Sequence, residues 1–209
     1  MQNYLPFSGV IIAGGDSKRM GERKALLKLG SQSLVEIIFN KLKKLFAEVI
    51  IVSDINSELA HLQGAVLAED IYKEGGKSPL RGIQAALAVS TQPASFVIAC
   101  DMPFFSLSLI EYMSKFADDN DVVVPQIEGY YQPLFAFYHS RLFDFITKAL
   151  REKRYKINEL YSQLKVKEIE ENAIKSFDPL LFSFYNINTK EAYEKAKEYV
   201  EGTKDVDFI

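Results

Sequence analysis

The 209-residue chain has one cysteine, two histidines and no surplus of positive charge. The single cysteine, Cys100, excludes an internal disulfide and favours a reducing compartment such as the cytoplasm. The net charge of −3, with acidic and basic residues interspersed, argues against a general nucleic-acid-binding protein. The sequence has no run of 18 apolar residues and no signal-like amino-terminal segment, so we expect neither a membrane span nor a leader.

What is present is an ordinary globular composition, with 48% hydrophobic and 25% charged residues. The length allows one α/β domain with a full core, or at most two small domains. The chain shows no repeat, no low-complexity stretch and no Pro/Ser-rich linker. We therefore expect a single domain over residues 1–201 and a flexible tail over residues 202–209.

Strand-like runs alternate with segments of helical periodicity. Apolar runs predict strands over residues 9–13, 49–52, 65–68, 95–100, 121–125 and 134–138, and the run 49–52 is β-branched throughout. Apolar spacing predicts a helix with one face at Leu34, Ile38, Leu42 and Leu45, and further helices over residues 79–89, 106–116, 141–151 and 190–200. Ser78 is the expected cap of the helix that starts at Pro79.

This alternation predicts an α/β fold, a three-layer sandwich whose mainly parallel sheet lies between two helix layers. The last two strands are joined by residues 129–131 alone, too few for a crossover helix, so these strands pair antiparallel or splay apart. In such sheets ligands collect at the carboxyl ends of the strands.

The loop after the first strand is the most informative segment. The strand stops at Gly14 and Gly15, and the following loop carries Lys18, Arg19 and Lys24. Glycines let backbone N–H groups turn towards an anion whose charge the cations neutralise. The loop matches neither GxxxxGK[ST] nor GxGxxG. It predicts phosphate binding of another kind; the alternative is an ordinary strand-to-helix connection with solvated lysines.

Carboxylates follow two other predicted strands. Asp101 comes directly after the apolar strand 95–100, and Asp70 follows the strand 65–68. A carboxylate fixed in this way suits Mg²⁺, which takes one or two carboxylates and completes its shell with phosphate and water. The alternative for Asp101 is a helix cap, a role that Ser106 can fill, and the alternative for Asp70 is a solvated or capping acid. Cys100 is expected to be a core residue rather than a nucleophile.

Residues 12–15 with Ser17, Arg19, Met20, Gly21 and Lys24 resemble the LAGGxSxRMGxxK signature of nucleotidyltransferases with a glycosyltransferase-A-like fold, the Rossmann-like fold of nucleotide-diphospho-sugar transferases. Within them the chain is most similar to the molybdenum cofactor guanylyltransferases, whose GPLAGI, CDMPF, QPL and N-[IV]-N-T motifs match residues 78–83, 100–104, 132–134 and 186–189. Ser78 and Arg81 replace a glycine and an alanine of the family pattern, and Lys190-Glu191 replaces Pro-Glu.

The resemblance implies an enzyme that transfers GMP from Mg·GTP to the terminal phosphate of molybdopterin and releases pyrophosphate. It implies that the nucleotide is bound by Ile12, Ala13, Gly14, Gly15, Lys24, Asp70 and Asp101. Asp101 would be the Mg²⁺ ligand, and Asn188 would face the metal and the second substrate. Lys24 and Arg19 would offset the charge that develops on pyrophosphate, so the expected catalytic residues are Arg19, Lys24 and Asp101.

The expected partners are the two substrates and, transiently, proteins that deliver molybdopterin or mature molybdoenzymes, with the chain a monomer or weak oligomer. Three alternatives remain open from the residues. They are CMP transfer to molybdopterin, nucleotidyl transfer to a sugar phosphate, and a regulatory nucleotide-binding module without catalysis.

Overall fold

The computed structural model describes residues 3–14, 23–54, 56–72 and 78–202. Its strands are β1 (Leu5–Ile12), β2 (Lys28–Leu29), β3 (Gln32–Ser33), β4 (Phe46–Val52), β5 (Ala65–Ala68), β6 (Ala94–Ala99), β7 (Val122–Ile127), β8 (Tyr130–Tyr131), β9 (Phe135–His139) and β10 (Val166–Glu170). Its helices are α1 (Leu34–Leu42), α2 (Asn56–Leu59), α3 (Pro79–Val89), α4 (Leu107–Ser114), α5 (Phe143–Arg151), α6 (Glu171–Lys175) and α7 (Lys190–Gly202). Short 3₁₀ helices occupy Lys24–Leu26, Ser140–Leu142, Ile157–Gln163 and Phe182–Phe184.

Eight of the strands form one sheet in the order β10-β7-β9-β6-β1-β4-β5, with β8 paired to β7. β1 runs parallel to β4 and β6, β5 runs parallel to β4, and β10 runs parallel to β7. β9 runs antiparallel to β6 and to β7. The sheet is therefore mainly parallel with one long antiparallel strand. Of the two arrangements expected for the strands joined by residues 129–131, antiparallel pairing or splaying apart, the structure shows antiparallel pairing.

Helices cover both faces of the sheet. Successive residues of a strand point to opposite sides, and in the central strand both sides carry apolar residues. In β1, Ile11 packs in the apolar cluster with α1 and α4, whereas Val10 packs in the cluster with α3 and α5. Both side chains are fully buried. The predicted three-layer α/β sandwich is thus confirmed.

Helix starts and strand ends agree with the sequence where local signals are strong. β5 and α3 have the predicted bounds, and Ser78 caps α3 by accepting a hydrogen bond from Leu80 N at 3.1 Å. Ser106 caps α4 by accepting from Leu109 N at 3.2 Å. Because Ser106 fills that position, Asp101 is left to face the strand-end cavity described below.

The first strand begins earlier than predicted. β1 starts at Leu5 rather than at residue 9, although Pro6, Ser8 and Gly9 interrupt the apolar pattern. Ser8 is fully buried, and its hydroxyl keeps hydrogen-bond partners there. It donates to Glu48 and lies 2.8 Å from the Ser90 hydroxyl. A buried polar residue with partners does not end a strand.

The carboxyl-terminal part of the chain adds elements that the sequence did not predict. The edge strand β10 was not predicted because only one of its residues, Ile169, is buried, so its sequence lacks a clear apolar pattern. Helix α7 includes Gly202, the first residue of the expected tail, while residues 203–209 lie outside the described part of the chain. A single domain over residues 1–201 and a flexible tail both stay predictions. Among the described residues, no helix is long and apolar enough to span a membrane.

Candidate active site

The carboxyl ends of four neighbouring strands are tied together just beyond the sheet. Three backbone hydrogen bonds do this, from Ala13 N to Val52 O (2.8 Å), from Ser53 N to Ala68 O (2.9 Å) and from Cys100 N to Ile12 O (3.1 Å). The segments that leave β1, β4, β5 and β6 therefore start from fixed positions along one edge of the sheet.

A cavity of about 780 Å³ opens at this edge. It brings together six residues expected to bind nucleotide, namely Ile12, Ala13, Gly14, Lys24, Asp70 and Asp101. The two other expected site residues, Gly15 and Arg19, lie outside the described residues. The roles of all eight remain predictions, but the six that are described face one space.

Lys24 and Asp101 form the charged centre of the cavity. Lys24 Nζ lies 3.2 Å from Asp101 Oδ2 and also donates a hydrogen bond to Asn188 Oδ1. The Lys24 side chain is 19% exposed and that of Asp101 is 15% exposed. A cation and a carboxylate that are largely withdrawn from water interact more strongly with a charged ligand than surface groups do.

Asn188 reaches this centre from the far end of the chain. Ile187 N donates to Asp101 O at 2.9 Å, which fastens the segment before α7 to the loop that carries Asp101. Ile187 is fully buried in an apolar cluster with Phe104 and Ala196 of α7. The packing of α7 thus determines where Asn188 lies.

The donor set fits Mg²⁺. Asp101 offers a carboxylate and Asn188 an amide oxygen, and hard cations prefer oxygen ligands. Among the described residues, no group of three or more His, Cys, Asp or Glu side chains could hold a metal by itself. Mg²⁺ needs no such group, since it commonly binds one or two carboxylates together with substrate phosphates and water.

Gly14 leaves room for a ligand at the end of β1. Apart from Gly14 and its two chain neighbours, no atom of the described residues lies within 4 Å of the position that a Cβ would take at Gly14. The opposite holds at Gly82 of α3, where a Cβ would lie 2.9 Å from Ile12 Cδ1. Gly82 therefore allows α3 to pack directly on the end of β1, and Gly14 keeps the backbone open towards the cavity.

The cavity also contains residues that the sequence analysis did not single out. Ser53 and Asp54 follow β4 and line the cavity beside Glu69 and Asp70, which follow β5. The signal that points to Asp70 and Asp101, a polar residue after an apolar strand, is also present at Ser53, which follows β4. Gln132 and Asn186, which belong to the matches with the QPL and N-[IV]-N-T motifs, line the cavity as well.

Cys100 is buried next to Asp101. Burial, with a further contribution from the Asp101 carboxylate, raises the pKa of the Cys100 thiol to about 12. Because the thiolate is the nucleophilic form, Cys100 is inert near neutral pH. This agrees with its expected role as a core residue.

Comparison with known proteins identifies the family. The model of the MobA-like NTP transferase domain matches residues 9–167. A protein of Natranaerobius thermophilus named "Probable molybdenum cofactor guanylyltransferase" is 36% identical over 200 residues, which cover 94% of this chain and 98% of that protein.

Solved structures agree with the sequence comparison. Molybdopterin-guanine dinucleotide biosynthesis protein A from Archaeoglobus fulgidus is 26% identical with a TM-score of 0.81, and the match covers 94% of this chain and 100% of that one. The 2-C-methyl-D-erythritol 4-phosphate cytidylyltransferase from Thermus thermophilus shares the fold, with a TM-score of 0.67 at 18% identity over 92% of this chain and 98% of that one. The chain therefore belongs to the MobA-like NTP transferases and, among them, to the molybdenum cofactor guanylyltransferase family, as its sequence motifs indicated.

Proposed function

We propose that the protein transfers GMP from Mg·GTP to the terminal phosphate of molybdopterin. The observation that carries the proposal is the Lys24–Asp101 pair, at 3.2 Å, in a cavity formed by the ends of four strands. The names of the relatives supply the substrates, and the cavity supplies a cation and a carboxylate where a triphosphate would lie. The proposal includes the cytoplasmic location that the single cysteine favours.

The reaction needs no covalent intermediate. An oxygen of the molybdopterin phosphate attacks the α-phosphorus of GTP, a new P–O bond forms, and the bond to the β-phosphate oxygen breaks. The bonding electrons leave with pyrophosphate. A phosphate is already a nucleophile, so positioning and charge neutralisation dominate over acid–base chemistry.

Each charged residue of the cavity has a distinct task in this scheme. Asp101, with the Asn188 amide oxygen beside it, would hold Mg²⁺, which when bound supplies charge neutralisation at the phosphate oxygens. Lys24 neutralises the charge on the leaving pyrophosphate, and Arg19 is expected to assist it. Gly14 lets the backbone approach the phosphates.

Pyrophosphate release tests the proposal directly. GTP, CTP, ATP and UTP are each incubated with Mg²⁺ and either molybdopterin or a sugar 1-phosphate. Release that requires both GTP and molybdopterin supports guanylyl transfer. Release with CTP or with the sugar phosphate would support one of the other two transferases. Nucleotide binding without pyrophosphate release under any of these conditions would support a regulatory module instead.

A further inference from the structure

The cavity has two halves, which follow from the order of the strands. Asp101 and Lys24 lie at the end of β6, whereas Glu69 and Asp70 follow β5. In the sheet order β6-β1-β4-β5 these ends are three strand spacings apart, about 14 Å. At this separation, the half beside β5 and the start of α3 has room for the nucleoside of a triphosphate held at Asp101.

Arg81 lies in that second half. It belongs to the first turn of α3, lines the cavity and is 7% exposed. Its guanidinium carbon lies 5.7 Å from the centre of the Tyr72 ring, within the range of a cation–π interaction. Tyr72 follows β5 by a few residues, so this contact fixes the guanidinium between α3 and the end of β5.

The turn that carries Arg81 is itself held in place. Ser78 Oγ donates to Tyr155 O at 2.6 Å, which fastens the start of α3 to the segment after α5. Gly82, the residue after Arg81, packs closely against Ile12, and this contact fastens α3 to β1. Arg81 therefore presents its side chain from a backbone fixed on both sides.

We propose that Arg81 determines base specificity by donating two hydrogen bonds to O6 and N7 of the guanine of GTP. The guanidinium has five N–H donors in a planar fork, so it can keep a contact within the protein and still present two donors to a ligand. On the edge that carries N7, guanine offers two adjacent acceptors, O6 and N7, whereas adenine offers N7 beside an amino donor. The inference rests on the proposed function, since it assumes that GTP is the nucleotide.

Nucleotide analogues test the contact atom by atom. The dissociation constants of GTP, 7-deaza-GTP, ITP and ATP are measured with Mg²⁺ by calorimetry. 7-Deaza-GTP lacks the N7 acceptor, so we expect it to bind the wild type about 10-fold or more weakly than GTP. ITP retains O6 and N7 and lacks only the exocyclic amine. Any weaker binding of ITP than of GTP therefore reports on other groups of the cavity.

Variants of Arg81 complete a cycle with these ligands. In Arg81→Met, GTP and 7-deaza-GTP should bind equally, and discrimination against ATP should fall. Arg81→Lys keeps the positive charge and loses the planar fork of donors. The ratio of the dissociation constants of 7-deaza-GTP and GTP should therefore also fall towards one. Lys115→Met is the matched control, because Lys115 lies 5.9 Å over the Tyr112 ring, on an exposed site that is not part of the cavity lining. It should keep the wild-type ratio.

Two results would overturn the inference. Equal binding of GTP and 7-deaza-GTP to the wild type excludes the N7 contact without any variant, so the test survives a variant that fails to fold. Equal weakening of all four ligands in Arg81→Lys would indicate a phosphate contact. If either occurs while GTP still reacts with molybdopterin, Arg81 is not the reader but the proposed function stands. Failure of the wild type to bind GTP overturns both.

Discussion

Lys24 Nζ lies 3.2 Å from Asp101 Oδ2, although 77 residues separate the two along the chain. Asn188, a further 87 positions beyond Asp101, accepts a hydrogen bond from the same ammonium group. Three distant segments thus meet at one point. The close approach of a cation and a carboxylate in the cavity is the arrangement on which the proposed binding of a metal–triphosphate complex depends.

Asp101→Asn tests the carboxylate while keeping the shape of the side chain. The amide can still accept a hydrogen bond from Lys24, so the circular dichroism spectrum should match that of the wild type. Loss of a metal-holding charge removes several kcal/mol of transition-state stabilisation, so kcat/KM should fall about 10³-fold or more. Turnover near the wild-type rate at the same Mg²⁺ concentration would show that Asp101 is not the metal ligand.

Lys24→Met tests charge neutralisation at the leaving group. Removing one preorganised electrostatic contact costs about 3–4 kcal/mol, so we expect kcat/KM for GTP to fall about 10²–10³-fold. Lys28→Met is the control, because Lys28 is exposed on β2, a few residues away, and is not part of the cavity lining. A Lys24 variant that matched the Lys28 variant in steady-state kinetics would contradict a role at the phosphates.

Two glycines separate effects on ligand binding from effects on stability. Gly14→Ala adds a methyl group in the open space beside Gly14, which lines the cavity just after β1, so GTP should bind more weakly while the melting temperature changes little. Gly9→Ala places its Cβ 2.8 Å from Phe46 Cδ2 in the core. Such overpacking costs about 1–3 kcal/mol, which denaturant unfolding measures. The reverse pattern would show that the cavity at Gly14 is not where the nucleotide binds.

The raised pKa of Cys100 predicts an unreactive thiol. With a pKa of about 12, the thiol stays protonated in the native state at pH 8 and gains thiolate only as the pH approaches 12. Iodoacetamide should therefore modify Cys100 slowly in native protein and rapidly in guanidinium chloride, where the pKa returns to about 8.5. Fast labelling of the folded protein at pH 8, followed by mass spectrometry, would contradict this environment.

Local signals explain why much of the fold was predictable. Helix α3 begins at Pro79 after a serine cap, and β4 and β6 contain apolar runs that only a covered sheet can bury. The strand-end rule then located Gly14, Asp70 and Asp101, each of which lines the cavity. These features depend on neighbours in sequence, so a pattern reveals them.

Long-range packing explains what was missed or left open. The position of Asn188 depends on the docking of α7 beside Phe104, and no periodicity reveals which segment packs there. The Lys24 contact with Asn188 and the Arg81 contact with Tyr72 likewise join segments that only the folded chain brings together. The motif resemblance suggested a place for Asn188, but the sequence alone could not show which atoms meet.

The central claim, that Asp101 holds the metal of an Mg·GTP complex, is tested by measuring the affinity for GTP with and without Mg²⁺, by calorimetry, on the wild type and on Asp101→Asn. Binding of metal and nucleotide to the same site is thermodynamically linked. Mg²⁺ should tighten GTP binding to the wild type about 10-fold or more, and this gain should disappear in Asp101→Asn. A variant that kept the full Mg²⁺ gain would mean that the metal–triphosphate complex binds away from Asp101.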